Sequence, residues 1–357
     1  MRKLATIRKI DRIENIKGRD LIGLAHIDGW TVIVNKDQFK EKELCVYCEI
    51  DSVLPDIKEF QFLKKKIPNL RIRTMKMAGV ISQGICFPIS ILPSGDYKEN
   101  QDVTSILNIT QYRGNMDIEN YEDNSTNWYK KLPILSLLFK KEYKGFPKFI
   151  SKTDEPRVQN MPQILNYYKD NKDIKWHIHE KLDGQSGTFV CIRNKGIFKD
   201  KFEYIVCSRN LRLLNKDNSS YWKVSDKYNI RDKLIKYLKD NPKEKFICVQ
   251  GECIGESVQG NKYKIKGYDF YVFNVISSYK KFEEELSDAF CSIYGFNRVP
   301  LVKDNINMRD ITLEKLIKAA DGKSLISNTI REGIVIRDNK GNSFKVISNN
   351  FLLKNKE

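Results

Sequence analysis

The sequence has 357 residues, 63 of them Lys or Arg against 46 Asp or Glu, giving a net charge of +17. With 41% apolar and 11% aromatic residues it can bury cores in more than one domain, which excludes wholesale disorder. Its longest apolar run, Leu132–Phe139, is far short of the roughly 18–20 residues of a membrane span and contains a proline, and the amino terminus alternates charged with apolar residues. Neither a membrane protein nor a secreted one is expected.

In chain order, residues 20–110 read as short strands (LIGLAHIDGWTVIVN, ELCVYCEIDSVLP, LRIRTMKMAGVISQGICFPISILP) broken at Gly18, Gly29, Pro55, Gly79, Gly84 and Gly95. Many short strands with turn signals suggest a small β-barrel or sandwich. Residues 114–147 are polar, then Lys-rich around the apolar run, and end in Gly145-Phe146-Pro147, as a linker with one helix would. Beyond Phe149 the pattern is mixed. Pro162–Tyr168 and Arg231–Leu238 have helical spacing, whereas Phe189–Ile192, Tyr204–Cys207, Phe246–Glu252, Phe270–Val275, Gly333–Arg337 and Ser343–Ile347 read as strands. The expected class is α+β with antiparallel sheets, divided as 1–120, a linker over 121–148, and 149–357.

The eight cysteines are scattered through strand-like contexts, which fits a reducing cytoplasm (or nucleus) better than a disulfide framework. Cys45 and Cys48 form one C-x-x-C with no second ligand pair in view, so two strand residues are the simpler reading. The basic excess favours a polyanionic partner.

WHIHEKLDGQSGTF, residues 176–189, places Lys181 between Glu180 and Asp183 at the end of an apolar strand, just before Gly184. A lysine there must have its charge paired or its pKa lowered, and a desolvated amine is a nucleophile. Glu-Lys-x-Asp-Gly resembles motif I of the covalent nucleotidyltransferases, the superfamily of DNA ligases, RNA ligases and mRNA capping enzymes. Five further stretches follow in that superfamily's order: VCSRN at 206–210, VQGE at 249–252, FYVFNV at 270–275, REGIVIR at 331–337 and SFKV at 343–346.

The resemblance implies roles. Lys181 would attack the α-phosphorus of ATP and keep AMP as a phosphoramidate. Arg209 would face the substrate phosphate, Glu252 hold the ribose, Phe273 stack on the purine and Lys345 contact the α-phosphate. Glu180, Asp183 and Gly184 would border the nucleotide, and Gly184 would allow a tight turn. Asp183, Glu252 and Glu332 would hold Mg²⁺ or Mn²⁺, directly or through water. Lys345 and the metal would lower the pKa of Lys181.

Only 12 residues follow Lys345, and the β-rich part precedes the catalytic one. That order is similar to the ATP-dependent RNA ligases that join 3′-OH and 5′-phosphate ends and carry an amino-terminal OB domain. Gly29–Val34, Cys45–Pro55 and Ile81–Gly84 resemble their OB signatures. Lys152–Asn160 resembles the segment before their motif I, making Arg157 a nucleotide contact. The implied architecture is an OB-type β-barrel followed by an adenylyltransferase (ATP-grasp-like) ligase domain. The implied partner is RNA or an RNA-containing nicked duplex, bound by a monomer. Lys64-Lys65-Lys66 and Arg71–Lys76 offer charge for that grip. Many related ligases carry a second lysine two residues from the motif V lysine; here Ser343 and Ile347 stand there, and Lys354 is the next lysine. Two other readings are a capping guanylyltransferase that uses GTP and a catalytically degenerate nucleic-acid-binding protein.

Overall fold

The computed structural model describes residues 2–112, 145–171, 174–196, 199–213, 219–307, 309–339 and 342–355. Most of the expected linker, with its apolar run at 132–139, lies outside the described residues. By contacts the chain forms two compact units: 1–126 with 158–164 and 349–357, and 127–157 with 165–348. The expected second domain, 149–357, thus lends two short segments to the first unit. No helix among the described residues is long and apolar enough to cross a membrane.

The first unit is built of short strands: β1 (Ala5–Lys9), β2 (Arg12–Ile16), β3 (Arg19–Ile27), β4 (Trp30–Asn35), β5 (Leu44–Cys48), β6 (Ser52–Val53), β7 (Thr74–Met77), β8 (Val80–Gln83), β9 (Ile85–Pro88) and β10 (Thr110–Gln111). They pair antiparallel as β1-β5-β9, β2-β3-β4, β6-β10 and β7-β8. Alternation sends Ala5, Ile7, Val46 and Phe87 into one core with Phe60, Leu70 and Val103. Cys45 and Cys48 both lie on β5, fully buried. Segment 158–164 docks here, Asn160 accepting from Trp30 Nε1 at 2.6 Å and donating to Glu49 at 3.1 Å.

The second unit contains two sheets. Its strands are β11 (Trp176–Lys181), β12 (Gln185–Asn194), β13 (Lys201–Cys207), β14 (Arg212–Leu213), β15 (Phe246–Gly255), β16 (Tyr268–Ser277), β17 (Asn297–Arg298), β18 (Leu301–Ile306), β19 (Gly333–Asp338) and β20 (Ser343–Ile347). One sheet has the order β14-β13-β12-β15-β16-β17 and the other β18-β11-β19-β20. All pairs are antiparallel except the two-residue pairing of β16 with β17. Among the described residues there are six α-helices: α1 (Gln163–Asp170), α2 (Ser220–Lys227), α3 (Ile230–Asp240), α4 (Glu284–Tyr294), α5 (Leu313–Ala320) and α6 (Asn349–Asn355). Thr312 caps α5 by accepting from Lys315 N at 3.3 Å, and Gly295 ends α4 in the left-handed region at φ 65°.

Alternation along β15 sorts core from site. Val249 and Cys253 enter the core made with Phe189, Phe270, Leu234 and Phe290, where each large apolar side chain contributes about 1.5–3 kcal/mol. Gln250 and Glu252 therefore face the other way. On β11 the same rule puts Lys181, His179 and His177 on one face and Glu180, Ile178 and Trp176 on the other. Trp176 meets Tyr168 of α1 edge-on at 4.1 Å.

Candidate active site

The site forms where β11 ends. Lys181 pairs in register with Gly333, the first residue of β19, so Glu332 arrives beside the lysine. A Cβ on Gly333 would lie 2.2 Å from the Val346 carbonyl, so only glycine admits β20 this closely. Lys181 Nζ donates to both oxygens of Glu332, at 2.7 and 2.6 Å.

Gly184 lies in the short turn between β11 and β12. It is absent from the positive-φ residues, and a Cβ there would fall 2.4 Å from the Cys253 carbonyl and 2.9 Å from Glu252 Cγ. The glycine lets the turn after β11 lie against β15, bringing Asp183 and Glu252 toward Lys181. Loop 256–267, between β15 and β16, fastens that turn. Tyr263 Oη accepts from Asp183 N at 2.7 Å, Gln259 donates to the Gly184 carbonyl at 3.3 Å, and Lys262 pairs with Asp183 at 2.7 Å.

These carboxylates govern Lys181. Burial pulls its pKa down, but Glu332, Glu252 and Asp183 outweigh burial and push it up to about 12. Lys345 and Lys181 repel each other, as expected, but in the protein alone the three carboxylates around the Lys181 ammonium outweigh that repulsion. Glu252 is pushed up to about 8 by burial, with Lys181 opposing and Glu332, Asp183 and Glu155 reinforcing.

On the other side of the site the cations gather. Lys345, on β20, stands opposite Val335 of β19. Its backbone N–H donates to the Pro156 carbonyl at 2.9 Å, which forms a parallel bridge between Arg157 and Lys345. Burial holds the Lys345 pKa below the usual lysine value, Lys181 and Arg157 add to that, and Asp154 opposes it. Asp154 joins Lys345 Nζ at 3.2 Å to Arg209 Nη2 at 2.8 Å.

Phe273 lies at a bulge. Register with β15 jumps from Gln250↔Asn274 to Gly251↔Val272, leaving Phe273 without a cross-strand partner. The half-buried ring packs with Leu182, Ile254, Tyr263 and Val299, and the Arg337 guanidinium lies 5.8 Å from its centroid. Glu180 is not in this cluster. Its side chain takes the opposite face of β11 and accepts from Leu325 N at 2.7 Å.

Lys181, Asp183, Gly184, Glu252 and Glu332 thus form one group, and Lys345, Arg157 and Arg209 a second. Asp154, Lys262 and Tyr263 were not foreseen. Asp154 lies within the segment that singled out Arg157, and nothing in the sequence singled out loop 256–267. Among the described residues no three His, Cys, Asp or Glu side chains are gathered closely enough to cage a metal ion. Glu332 is engaged by Lys181 and Asp183 by Lys262. Hard oxygens without a closed cage suit a divalent ion that keeps waters and shares phosphate oxygens. In the first unit, Lys64 pairs with Asp56 at 2.6 Å, and Arg71 pairs with Asp51 at 2.8 Å with its guanidinium 3.5 Å from the centre of the Tyr112 ring. Lys354 lies on α6, which groups with the first unit.

Comparison with known proteins gives two family matches, an OB-fold domain over residues 4–89 and an RNA ligase over 174–349. No curated protein matches. Among solved structures the chain is similar to the RNA ligase of Naegleria gruberi. A mutant of that ligase with AMP and Mn is 32% identical, with a TM-score of 0.80 over 100% of this chain and 99% of the other. The same ligase with pyrophosphate gives the same identity, coverage and TM-score. Another mutant, with ATP and Mn, is 32% identical with a TM-score of 0.79 over 99% of each chain.

Proposed function

Since the chain belongs to the RNA ligase family, we propose that it joins RNA ends with ATP and a divalent metal, sealing nicks between a 3′-OH strand ending in RNA and a 5′-phosphate. The observation that carries this reading is the Lys181 ammonium, held by Glu332 and near Glu252 and Asp183, with the phosphate-seeking cations Lys345, Arg157 and Arg209 in the same unit.

In the first step Lys181 Nζ attacks the α-phosphorus of ATP. A P–N bond forms, the bond to the β-phosphate oxygen breaks, and pyrophosphate leaves. The amine must shed a proton, and Glu332 Oε2 at 2.6 Å is the nearest acceptor. Lys345 and Arg157 offset the charge on the phosphates. Asp183, Glu252 and Glu332 would hold the metal, largely through water; it supplies positive charge that stabilises the leaving pyrophosphate and loosens the proton on Lys181. Phe273 offers a face to the purine. In the second step the 5′-phosphate, met by Arg209, takes AMP from Lys181 as the P–N bond breaks. In the third, the 3′-OH attacks that phosphate, forming the phosphodiester and releasing AMP. A ribose at the 3′ end is read through sugar shape or its 2′-OH. Residues 1–120 grip the nucleic acid as an OB-type domain, and 149–357 perform the chemistry. The enzyme acts as a monomer in the cytoplasm, or in the nucleus of a eukaryote.

The test is incubation with α-labelled ATP and Mn²⁺. We expect one covalent adenylate on Lys181, absent from Lys181→Ala, and sealing of a nicked RNA. A label on another side chain, no label, or preferential labelling by GTP overturns the reading.

A further inference from the structure

Residues 153–157 run beside β20, and each engages a different part of the catalytic unit. Thr153 Oγ1 lies 2.6 Å from Ser186 Oγ on β12. Glu155 accepts from Arg337 Nη2 at 3.2 Å on β19. The Pro156 carbonyl takes the Lys345 N–H, and Arg157 bridges to Lys345. The Asp154 side chain is exposed, with 61% of it open to solvent, whereas Thr153, Glu155 and Arg157 are half-buried. Its two oxygens are divided between two cations, Oδ1 on Lys345 Nζ at 3.2 Å and Oδ2 on Arg209 Nη2 at 2.8 Å.

One anionic group with two oxygens on two separate cations reproduces what a phosphate would present there. We propose that Asp154 is a built-in competitor for phosphate: it occupies Lys345 and Arg209 in the resting enzyme, and ATP or a 5′-phosphate end must displace it to bind. This rests on the reading above, in which Lys345 and Arg209 face substrate phosphate. The geometry suits an exchange. The pair with Arg209 is exposed on both sides, and exposed ion pairs are weak and cheap to break. A phosphate carries more charge than a carboxylate and offers more acceptor oxygens. Thr153 and Glu155 pin the backbone on either side, so only the Asp154 side chain has to turn away. Until then the carboxylate keeps the ends of two long side chains near the place where the phosphate arrives. Asp154 thereby helps to set the affinity for substrate phosphates and holds Lys345 and Arg209 in waiting.

The experiment compares the wild type with Asp154→Asn and Asp154→Glu. Binding of inorganic pyrophosphate is measured by calorimetry, and the KM for ATP by formation of the labelled adenylate. We expect Asp154→Asn to bind pyrophosphate about fivefold more tightly and to lower the KM for ATP by about the same factor, the size of an exposed ion-pair contribution. Asp154→Glu, which keeps a carboxylate, returns both toward wild type. A merely structural role would raise KM or lower the melting temperature instead. Unchanged or weaker pyrophosphate binding by Asp154→Asn overturns the proposal. The calorimetry does not depend on turnover, so a wild type that binds pyrophosphate but takes no label refutes the ligase reading alone.

Discussion

Lys181 and Lys345 stand on strands of one sheet with β19 between them, and their pKa values are shifted in opposite directions. Both are drawn down by burial. Around Lys181 three carboxylates reverse that and raise it to about 12. Around Lys345 the nearby charges include Lys181 and Arg157, and the carboxylate of Asp154 does not restore the usual value. What burial does to a lysine is thus decided by the charges buried with it. The site is divided into a carboxylate half and a cation half, to which the proposed reaction assigns the metal and the phosphates respectively. Each half is provisionally neutralised by a side chain of opposite sign, Lys262 on Asp183 in one and Asp154 on Lys345 and Arg209 in the other.

The strongest way to break this comparison is to remove the cation from the second half. Lys345→Ala is expected to slow adenylate formation on Lys181 by about 10²–10³-fold, the usual cost of losing a preorganised group that meets developing charge. Single-turnover labelling at saturating ATP checks it. A rate within a few-fold of wild type would mean that Lys345 is a sheet-edge lysine and that the cation half lies elsewhere.

A smaller effect separates the halves by pH. Glu252 has a pKa of about 8 in the folded protein against an ordinary value of 4.5, so folding takes up a proton between those two pH values. Its contribution to stability is therefore complete below about pH 4.5 and is lost as pH rises through about 8. A metal ion needs the ionised carboxylate. Mn²⁺ affinity should therefore strengthen by up to about tenfold per pH unit toward pH 8 and level off above it. In Glu252→Gln the slope should vanish and binding should be weak throughout. Calorimetric Mn²⁺ titrations at several pH values decide the matter, and a wild-type slope of zero removes Glu252 from the metal's surroundings.

The two halves were not equally legible in the sequence. Lys181, Glu252 and Lys345 sit on strands β11, β15 and β20, where a period of two fixes both the strand and the face, whereas Asp183 and Glu332 flank strand ends and were legible only through the motifs that resemble those of the nucleotidyltransferases. Phe189–Ile192 and Gly333–Arg337 were readable as strands for the same reason. Helices α1 and α3 announced themselves by spacing. Helix α4, EELSDAFCSIY, did not, because its buried Ser287, Phe290 and Cys291 include a serine on the core face. Asp154 makes its contacts across long chain separation, 191 residues to Lys345, which no local pattern encodes. Loop 256–267 was opaque for another reason. Ser257, Gln259, Asn261 and Lys264 all take positive φ there. Only tertiary contacts hold ordinary side chains in that region, and propensity argues against most of them.

The same loop supplies the mildest test of the carboxylate half. Tyr263 is buried, and its hydroxyl is the acceptor for the Asp183 N–H at 2.7 Å. Tyr263→Phe keeps the ring's packing against Leu182 and Ile254 and deletes only that acceptor. An N–H left without a partner in a half-buried turn costs about 1–2 kcal/mol, which a thermal melt will show. Asp183 then loses the anchor that sets its carboxylate against Lys262 and near Lys181. The Mn²⁺ concentration needed for half-maximal labelling should rise by about three- to tenfold, in proportion to that loss, while the KM for ATP moves little. The asymmetry is what the two halves predict. The carboxylate half is fixed through a buried hydrogen bond to the backbone, so one hydroxyl changes its metal affinity. The cation half is held by ion pairs to the exposed Asp154 carboxylate and should not sense a change in the loop. A melt shift with no change in metal dependence would make Tyr263 a packing residue and leave Gly184, through its close approach to Cys253 and Glu252, as what places Asp183.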